Sequence, residues 1–228
     1  MPSGEPEMAK ELQIDVIVSE PFAENSYIVN RPGDKKCFVI DPGFDPEEII
    51  RRIHERHLEL EVILLTHGHA DHIAGCAAMK EEFPNAPLVI GAGDANMLTD
   101  PLANLSALGG MEVISPPADM LLQHGQTVKA IDLLWDVREI PGHSPGHIVY
   151  IWHDGEPPMV FGGDVLFQGS VGRADFPGGD GPLLIQGIKT KLYDLPDDTV
   201  VFPGHGDPTT VGIEKATNPF TTGRARIY

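Results

Sequence analysis

The chain has 228 residues, 41% of them hydrophobic and 22% charged, which is enough apolar side chain for a buried core and too much for a disordered chain. Lys and Arg total 16 against 34 Asp and Glu, a formal net charge of −18 that repels nucleic-acid backbones and anionic lipid. No apolar run approaches the roughly 20 residues of a spanning helix, the start Met1-Pro2-Ser3-Gly4-Glu5 lacks the basic and apolar regions of a signal peptide, and Cys37 and Cys76 are too few for a disulfide framework, so we expect a cytoplasmic protein with reduced thiols that binds neither nucleic acid nor membrane. The length fits one domain spanning 1–228, with residues 1–10 polar and frayed.

The 25 Gly and 21 Pro signal many turns between short strands. Leu12–Val18, Ser26–Val29 and Cys37–Ile40 read as strands, with Arg31-Pro32-Gly33-Asp34 as a hairpin between the last two. Pro46 to His57 reads as a helix: Pro near its start, Glu47 and Glu48 in the first turn, and Ile49, Ile50 and Ile53 on one face. Val62–Leu65 is a continuous apolar run, hence a buried strand. A helix near His72–Glu82, a strand at Leu88–Ile90 and a short helix at Asp94–Leu98 follow. The stretch from Gly91 to Pro117 gives no clear pattern, and Gly91-Ala92-Gly93 is an incomplete dinucleotide fingerprint. Ile131–Ile140, Ile148–Trp152 and Met159–Phe161 read as strands, the last two joined by a turn at His153-Asp154-Gly155-Glu156. Asp180 is placed to cap a helix bearing Leu183, Leu184, Ile188 and Leu192. Thr199–Phe202 is a last strand, before a helix near Thr209–Ala216. This order suits two sheets packed face to face with helices outside.

The strongest chemical signal is Thr66-His67-Gly68-His69-Ala70-Asp71-His72, directly after an apolar strand. In extended backbone His67 and His69 point the same way. A helix starting near Asp71 would turn Asp71 and His72 toward a different point, so one segment could serve two adjacent metal ions. Imidazole and carboxylate are ligands that zinc and related first-row ions accept. Further ligand-class residues stand where strands end, each preceded by glycine: His143 in Pro141-Gly142-His143-Ser144-Pro145-Gly146-His147, Asp164 in Gly162-Gly163-Asp164, and His205 in Pro203-Gly204-His205-Gly206. Asp41, in Ile40-Asp41-Pro42-Gly43, reads either as an acceptor behind a metal-bound imidazole or as a turn residue. His147 reads as supporting rather than ligating. Arg173 and Asp175 read as a structural ion pair, with substrate contact by Arg173 as the alternative.

His67-x-His69-x-Asp71-His72 with His143, Asp164 and His205 resembles the metallo-β-lactamase-fold hydrolases over nearly the whole chain. Within them, Gly163–Phe176, Pro203–Thr210 and Asn218-Pro219-Phe220 look most like a short glyoxalase II-like (hydroxyacylglutathione hydrolase-like) form. The resemblance implies an α/β fold, a four-layer αββα sandwich with metals at one edge of the sheets. It implies two divalent ions, zinc first and iron or manganese as alternatives. His67, His69 and His143 would hold one ion, Asp71, His72 and His205 the other, with Asp164 bridging both. It further implies hydrolysis of a thioester such as S-lactoylglutathione by metal-bound hydroxide, with Asp71 and Asp164 as the catalytic carboxylates.

His69 departs from the carboxylate usual in the superfamily's di-iron oxygen reductases, and Asp164 from its true β-lactamases. The negative charge speaks against its nuclease branch. After His205 the 228-residue sequence continues for only a short tail, so a separate helical substrate domain is not expected. Substrate binding then falls to the chain's own loops, with Arg173, Phe176, Arg224 and Arg226 as candidates, unless the tail Gly223–Tyr228 is merely frayed. The main rival reading is a mononuclear iron persulfide dioxygenase, which shares a stretch like Gly172-Arg173-Ala174-Asp175-Phe176. A lactonase and a non-catalytic metal-binding protein rank behind it.

Overall fold

The computed structural model describes residues 11–227, so the expected fraying of residues 1–10 lies outside the described residues. The first sheet has the order β1-β2-β3-β4-β5-β6, formed by Gln13–Ser19, Glu24–Asn30, Lys36–Ile40, Glu59–Leu64, Leu88–Gly91 and Met120–Leu122. Helices α1 (Pro46–Glu55), α2 (Ala70–Ile73) and α3 (Cys76–Glu82) belong to this half. The second sheet has the order β14-β13-β10-β9-β8-β7, where β7 is Thr127–Ala130, β8 Leu133–Glu139, β9 Ile148–Trp152, β10 Met159–Gly163, β13 Val200–Pro203 and β14 Thr209–Thr210. A two-stranded ribbon, β11 (Leu166–Phe167) with β12 (Ser170–Val171), and helices α4 (Gly181–Lys191) and α5 (Val211–Thr217) complete it.

Strand periodicity divides the core into three layers. Tyr27, Val29, Phe38 and Ile40 meet Trp135, Val137, Tyr150 and Phe161 between the sheets. The alternate residues Ile28, Cys37 and Val39 face the other way, onto Ile49 and Ile53 of α1 and Cys76 and Met79 of α3. On the far side Val149, Ile151, Val160 and Val201 pack on Leu184 and Ile188 of α4 and Val211 of α5. With side chains alternating at period two, each sheet buries both faces, and the result is an αββα sandwich. Asp180 caps α4 by accepting from Leu183 N, as its position suggested.

Three local expectations change. The segment 131–140 is not one strand. Ile131 and Asp132 form a turn, with φ of 49° and 62°, between β7 and β8. The helix expected near His72–Glu82 divides at Ala74-Gly75 into α2 and α3. The unreadable segment holds 3-10 turns at Ala92–Leu98 and Ser106–Gly109, then edge strand β6. No helix among the described residues is long and apolar enough to cross a membrane.

Candidate metal centre

The site forms where strands of both sheets end. The 66–72 segment follows β4, and α2 carries Asp71 and His72 away from the direction of His67 and His69. His143 follows β8, Asp164 follows β10 and His205 follows β13. Three imidazole nitrogens then form a triangle: His67 Nε2 to His69 Nδ1 is 3.0 Å, His69 Nδ1 to His143 Nε2 is 2.8 Å, and His143 Nε2 to His67 Nε2 is 3.2 Å. Asp71, His72 and His205 form a second group, with His205 Nε2 at 3.3 Å and His72 Nε2 at 3.9 Å from Asp71 Oδ2. Asp164 stands between the groups. Its Oδ1 is 3.4 Å from His72 Nε2, and its Oδ2 is 3.4 Å from His143 Nε2 and 3.5 Å from His205 Nε2.

The outer ring nitrogens decide which lone pairs face inward. His143 Nδ1 donates to Arg173 O at 2.8 Å, His72 Nδ1 to Asp41 Oδ2 at 3.0 Å, and His205 Nδ1 to Ala23 O at 3.2 Å. His67 Nδ1 lies 3.1 Å from Thr66 Oγ1, whose own proton goes to Asp41 Oδ2 at 2.6 Å, so this ring is the donor. In each neutral ring Nε2 is thereby left as an acceptor aimed at the centre. Two such acceptors 3.2 Å apart repel unless a cation or proton lies between them. Outward N–H groups tied to oxygen acceptors are the support that metal-ligating imidazoles ordinarily have. His72 Nε2 and Asp164 Oδ1 are also buried without a hydrogen-bond partner. The donor set therefore fits divalent metal ions. Asp41, His67 and His72 form another ligand-class group, but Asp41 is already filled by Thr66 N at 2.7 Å, Thr66 Oγ1 and His72 Nδ1, so it reads as a support.

Electrostatics divide the centre. Burial pushes His67 well below its usual pKa and, with His143 beside it, takes His69 down to about 3, so these two rings are neutral and free to ligate. Burial also opposes charge on His72 and His205, but Asp71 and Asp164 outweigh it and hold both above the usual value. Burial alone would raise Asp164, yet His72, His143 and His205 hold its carboxyl far below the usual range.

His147 stacks on the His67 ring at 4.7 Å, and its Nε2 accepts from Asp164 N at 3.0 Å, so it anchors the Asp164 backbone. Arg173 is exposed, makes two 2.8 Å bonds to Asp175 and lies over the Phe176 ring at 4.0 Å; Phe176 in turn lies 5.7 Å from the His69 ring. Arg173 and Phe176 line a cavity of about 590 Å³ at the centre. Arg226 lines an adjoining cavity of about 400 Å³ with Arg173, Phe220 and Ile227, whereas Arg224 lines neither. The tail is not simply frayed: Thr221 is buried and hydrogen-bonded to Tyr193, and Ile227 packs on the core beneath α4; Tyr228 lies outside the described residues.

Two buried carboxylates had no motif to announce them. Asp94 accepts from Ser144 Oγ at 2.6 Å, Gly146 N at 2.6 Å and Gly68 N at 3.2 Å, joining the 66–72 and 143–147 loops. Glu24 is fully buried, accepts from Ser19 and Ser26, and sets Oε1 4.0 Å from His72 Nδ1; burial raises its pKa well above the carboxylate range.

The glycines before the ligand-class residues also gain a reason. A Cβ on Gly204 would lie 2.2 Å from Asp164 Oδ1 and 2.7 Å from His72 Cε1, and Gly163 has φ of 47°. Gly204→Ala is accordingly expected to displace the Asp164 carboxylate and lower kcat/KM by about a hundredfold, since misplacement near 1 Å carries that cost. Kinetics beside circular dichroism check this, because the β-sheet spectrum should persist.

Comparison with known proteins identifies relatives of the whole chain. The profile described as the metallo-beta-lactamase superfamily matches residues 19–205. Hydroxyacylglutathione hydrolase GloC of Haemophilus influenzae is 37% identical over 217 residues, covering 94% of this chain and 100% of that protein. The crystal structure titled BLEG-1 B3 metallo-beta-lactamase has a TM-score of 0.88 at 37% identity, over 92% of this chain and 100% of that one. TTHA1623, solved in a di-iron-bound form, gives 0.78 at 35% identity over 90% and 99%. ETHE1 from Myxococcus xanthus gives 0.76 at 26% over 92% and 85%.

Proposed function

Because the chain belongs to the metallo-beta-lactamase superfamily, a metal-dependent hydrolase of that fold, we propose that it cleaves an acyl thioester at a binuclear centre, with S-lactoylglutathione as the reference substrate. The observation that carries this reading is Asp164, whose two carboxylate oxygens face histidines of both clusters. His67, His69 and His143 would hold one ion and Asp71, His72 and His205 the other, with Asp164 reaching both. Such ions supply a water acidified to a pKa near 7 and a Lewis acid for the scissile carbonyl. Asp71, half-buried beside His205, orients the attacking water by accepting its hydrogen bond. Phe167 and Phe176 shield the centre from bulk water. Arg226, on the adjoining cavity, receives a carboxylate of a glutathione-like thiol.

Zinc suits this nitrogen and oxygen donor set; the di-iron-bound form of TTHA1623 supports iron as the first alternative, ahead of manganese. Two free, buried cysteines, Cys37 and Cys76, fit a reducing cytoplasm. We read the described residues as one catalytic unit.

The test is metal-loaded protein offered S-lactoylglutathione, other acyl thioesters, a cephalosporin and glutathione persulfide. We expect about two ions per chain and thioester turnover. One ion per chain with oxygen consumed on the persulfide would instead install the mononuclear iron dioxygenase, the second reading, which the likeness to ETHE1 favours. Cephalosporin turnover alone would install the activity named in the BLEG-1 title. Arg226→Ala is expected to raise KM for glutathione thioesters several-fold with kcat little changed, the pattern of lost uniform binding; an unchanged KM removes the tail from recognition.

A further inference from the structure

We propose that the acyl group this site prefers is apolar and several carbons long, seated against a wall formed by Phe22, Leu105, Leu108 and Met111. The inference rests on the thioesterase reading and goes on to name the substrate's acyl class.

Apart from the clustered His and Asp side chains, the 590 Å³ cavity is walled chiefly by apolar side chains: the wall residues, with Phe167, Val171 and Phe176. Its one cation, Arg173, is already engaged by Asp175 through two bonds. Phe22 is 45% and Leu108 67% exposed, so both present apolar surface to water at the same opening. A short hydroxylated acyl group such as the three-carbon lactoyl would leave most of that surface wet, whereas a longer alkyl chain covers it.

The wall is built rather than incidental. Leu105 has φ of 71°, a left-handed conformation that a residue with a side chain seldom adopts. The fully buried Asn104 holds it there. Its Nδ2 donates to Met97 O at 3.0 Å and Val113 O at 2.8 Å, and its Oδ1 accepts from Ser106 N at 3.0 Å. Its carbonyl accepts from Ala70 N at 3.0 Å, which ties the wall to the segment carrying His69 and Asp71. A strained residue fixed from both sides, facing a cavity at a reactive centre, is a specificity device.

The two cavities set the direction of the substrate. They share Ser170, Val171 and Arg173, and the second adds Arg226. A carboxylate-bearing thiol runs toward Arg226, so the acyl group occupies the part of the first cavity that the second does not share.

The experiment uses full-length, metal-loaded protein and one thiol, glutathione, esterified with lactoyl, acetyl, butyryl and hexanoyl groups. Expected is a rise in kcat/KM of about three- to fourfold per added methylene, the transfer value of a buried CH₂. Leu108→Asp and Phe22→Ser, at exposed positions on separate segments, should each flatten that series, while Leu134→Asn, exposed and lining neither cavity, should keep its slope. A series that is flat or falls with length, with lactoyl and acetyl still turned over, overturns the apolar acyl site and leaves the thioesterase standing. A slope that survives both wall substitutions overturns the placement. Absence of turnover with every thioester overturns the thioesterase reading, and this inference with it.

Discussion

Asp164→Ala should lower kcat/KM on a thioester by at least about a hundredfold, since losing even an outer partner of a metal ligand costs ten- to a hundredfold. Among the described residues Asp164 is the carboxylate within 3.5 Å of imidazoles from both clusters. Truncation would leave His72 Nε2, itself fully buried, facing an empty space where its counter-charge had been. The polypeptide around it should hold, because Asp164 is anchored through its backbone N–H to His147. Arg173→Ala is the matched comparison and should cost less than about tenfold. Its guanidinium is exposed and occupied by Asp175, and what it gives the centre is its carbonyl, which accepts from His143 Nδ1 and survives the substitution. Kinetics at matched metal content, measured on the same preparations, decide the matter. Equal losses for both variants would contradict the roles assigned.

Asp94→Ala should act on stability and metal affinity together. Three donors from two loops converge on this buried carboxylate, and alanine strands all of them. Bonds to a charged group are worth about 1.5–3 kcal/mol each before relaxation, so a net loss on the order of 3 kcal/mol is expected. Burial raises the Asp94 pKa, and the same three donors pull it back. The loops it joins carry His67 and His69 on one side and His143 on the other, so divalent-ion affinity should also fall ten- to a hundredfold. Asp94→Asn, with one acceptor oxygen in the same shape, should lose less of both. Denaturant midpoints and chelator competition measure the two effects. Lower stability with unchanged affinity would reduce Asp94 to a packing residue.

What could be read from the chain follows its physics. Tyr27, Ile28 and Val29 were legible as a strand, and they alternate between two cores because successive strand side chains point to opposite faces. The His67–His72 segment was legible because imidazoles and a carboxylate crowd into few residues after a strand. The turn at Ile131-Asp132 was not, since a β-branched residue at φ of 49° contradicts the Gly and Asn signals on which hairpin reading depends. Asp94 and Glu24 look like any acidic residue of an acidic chain. Their roles come from what the fold brings within reach: Ser144 and Gly146 from a distant loop for Asp94, Ser19 and His72 for Glu24. Asp41 had two readings, and the structure sets it beneath His72 and Thr66.

The seam between the sheets bears on how the chain survives in a cell. His67, His69, Asp71 and His72 extend from the first sheet, and His143, Asp164 and His205 from the second, so an ion held in either cluster fastens one half of the sandwich to the other. The unfolded chain scatters these donors along most of its length and offers no comparable site. By mass action, an ion at a hundred times its dissociation constant adds about 2.7 kcal/mol to the folded state, a sizeable share of the 5–15 kcal/mol typical of a domain. The supply of metal would then govern how much folded protein persists, quite apart from its turnover, and starvation for the ion would be felt first as proteolysis of chains whose halves had come apart.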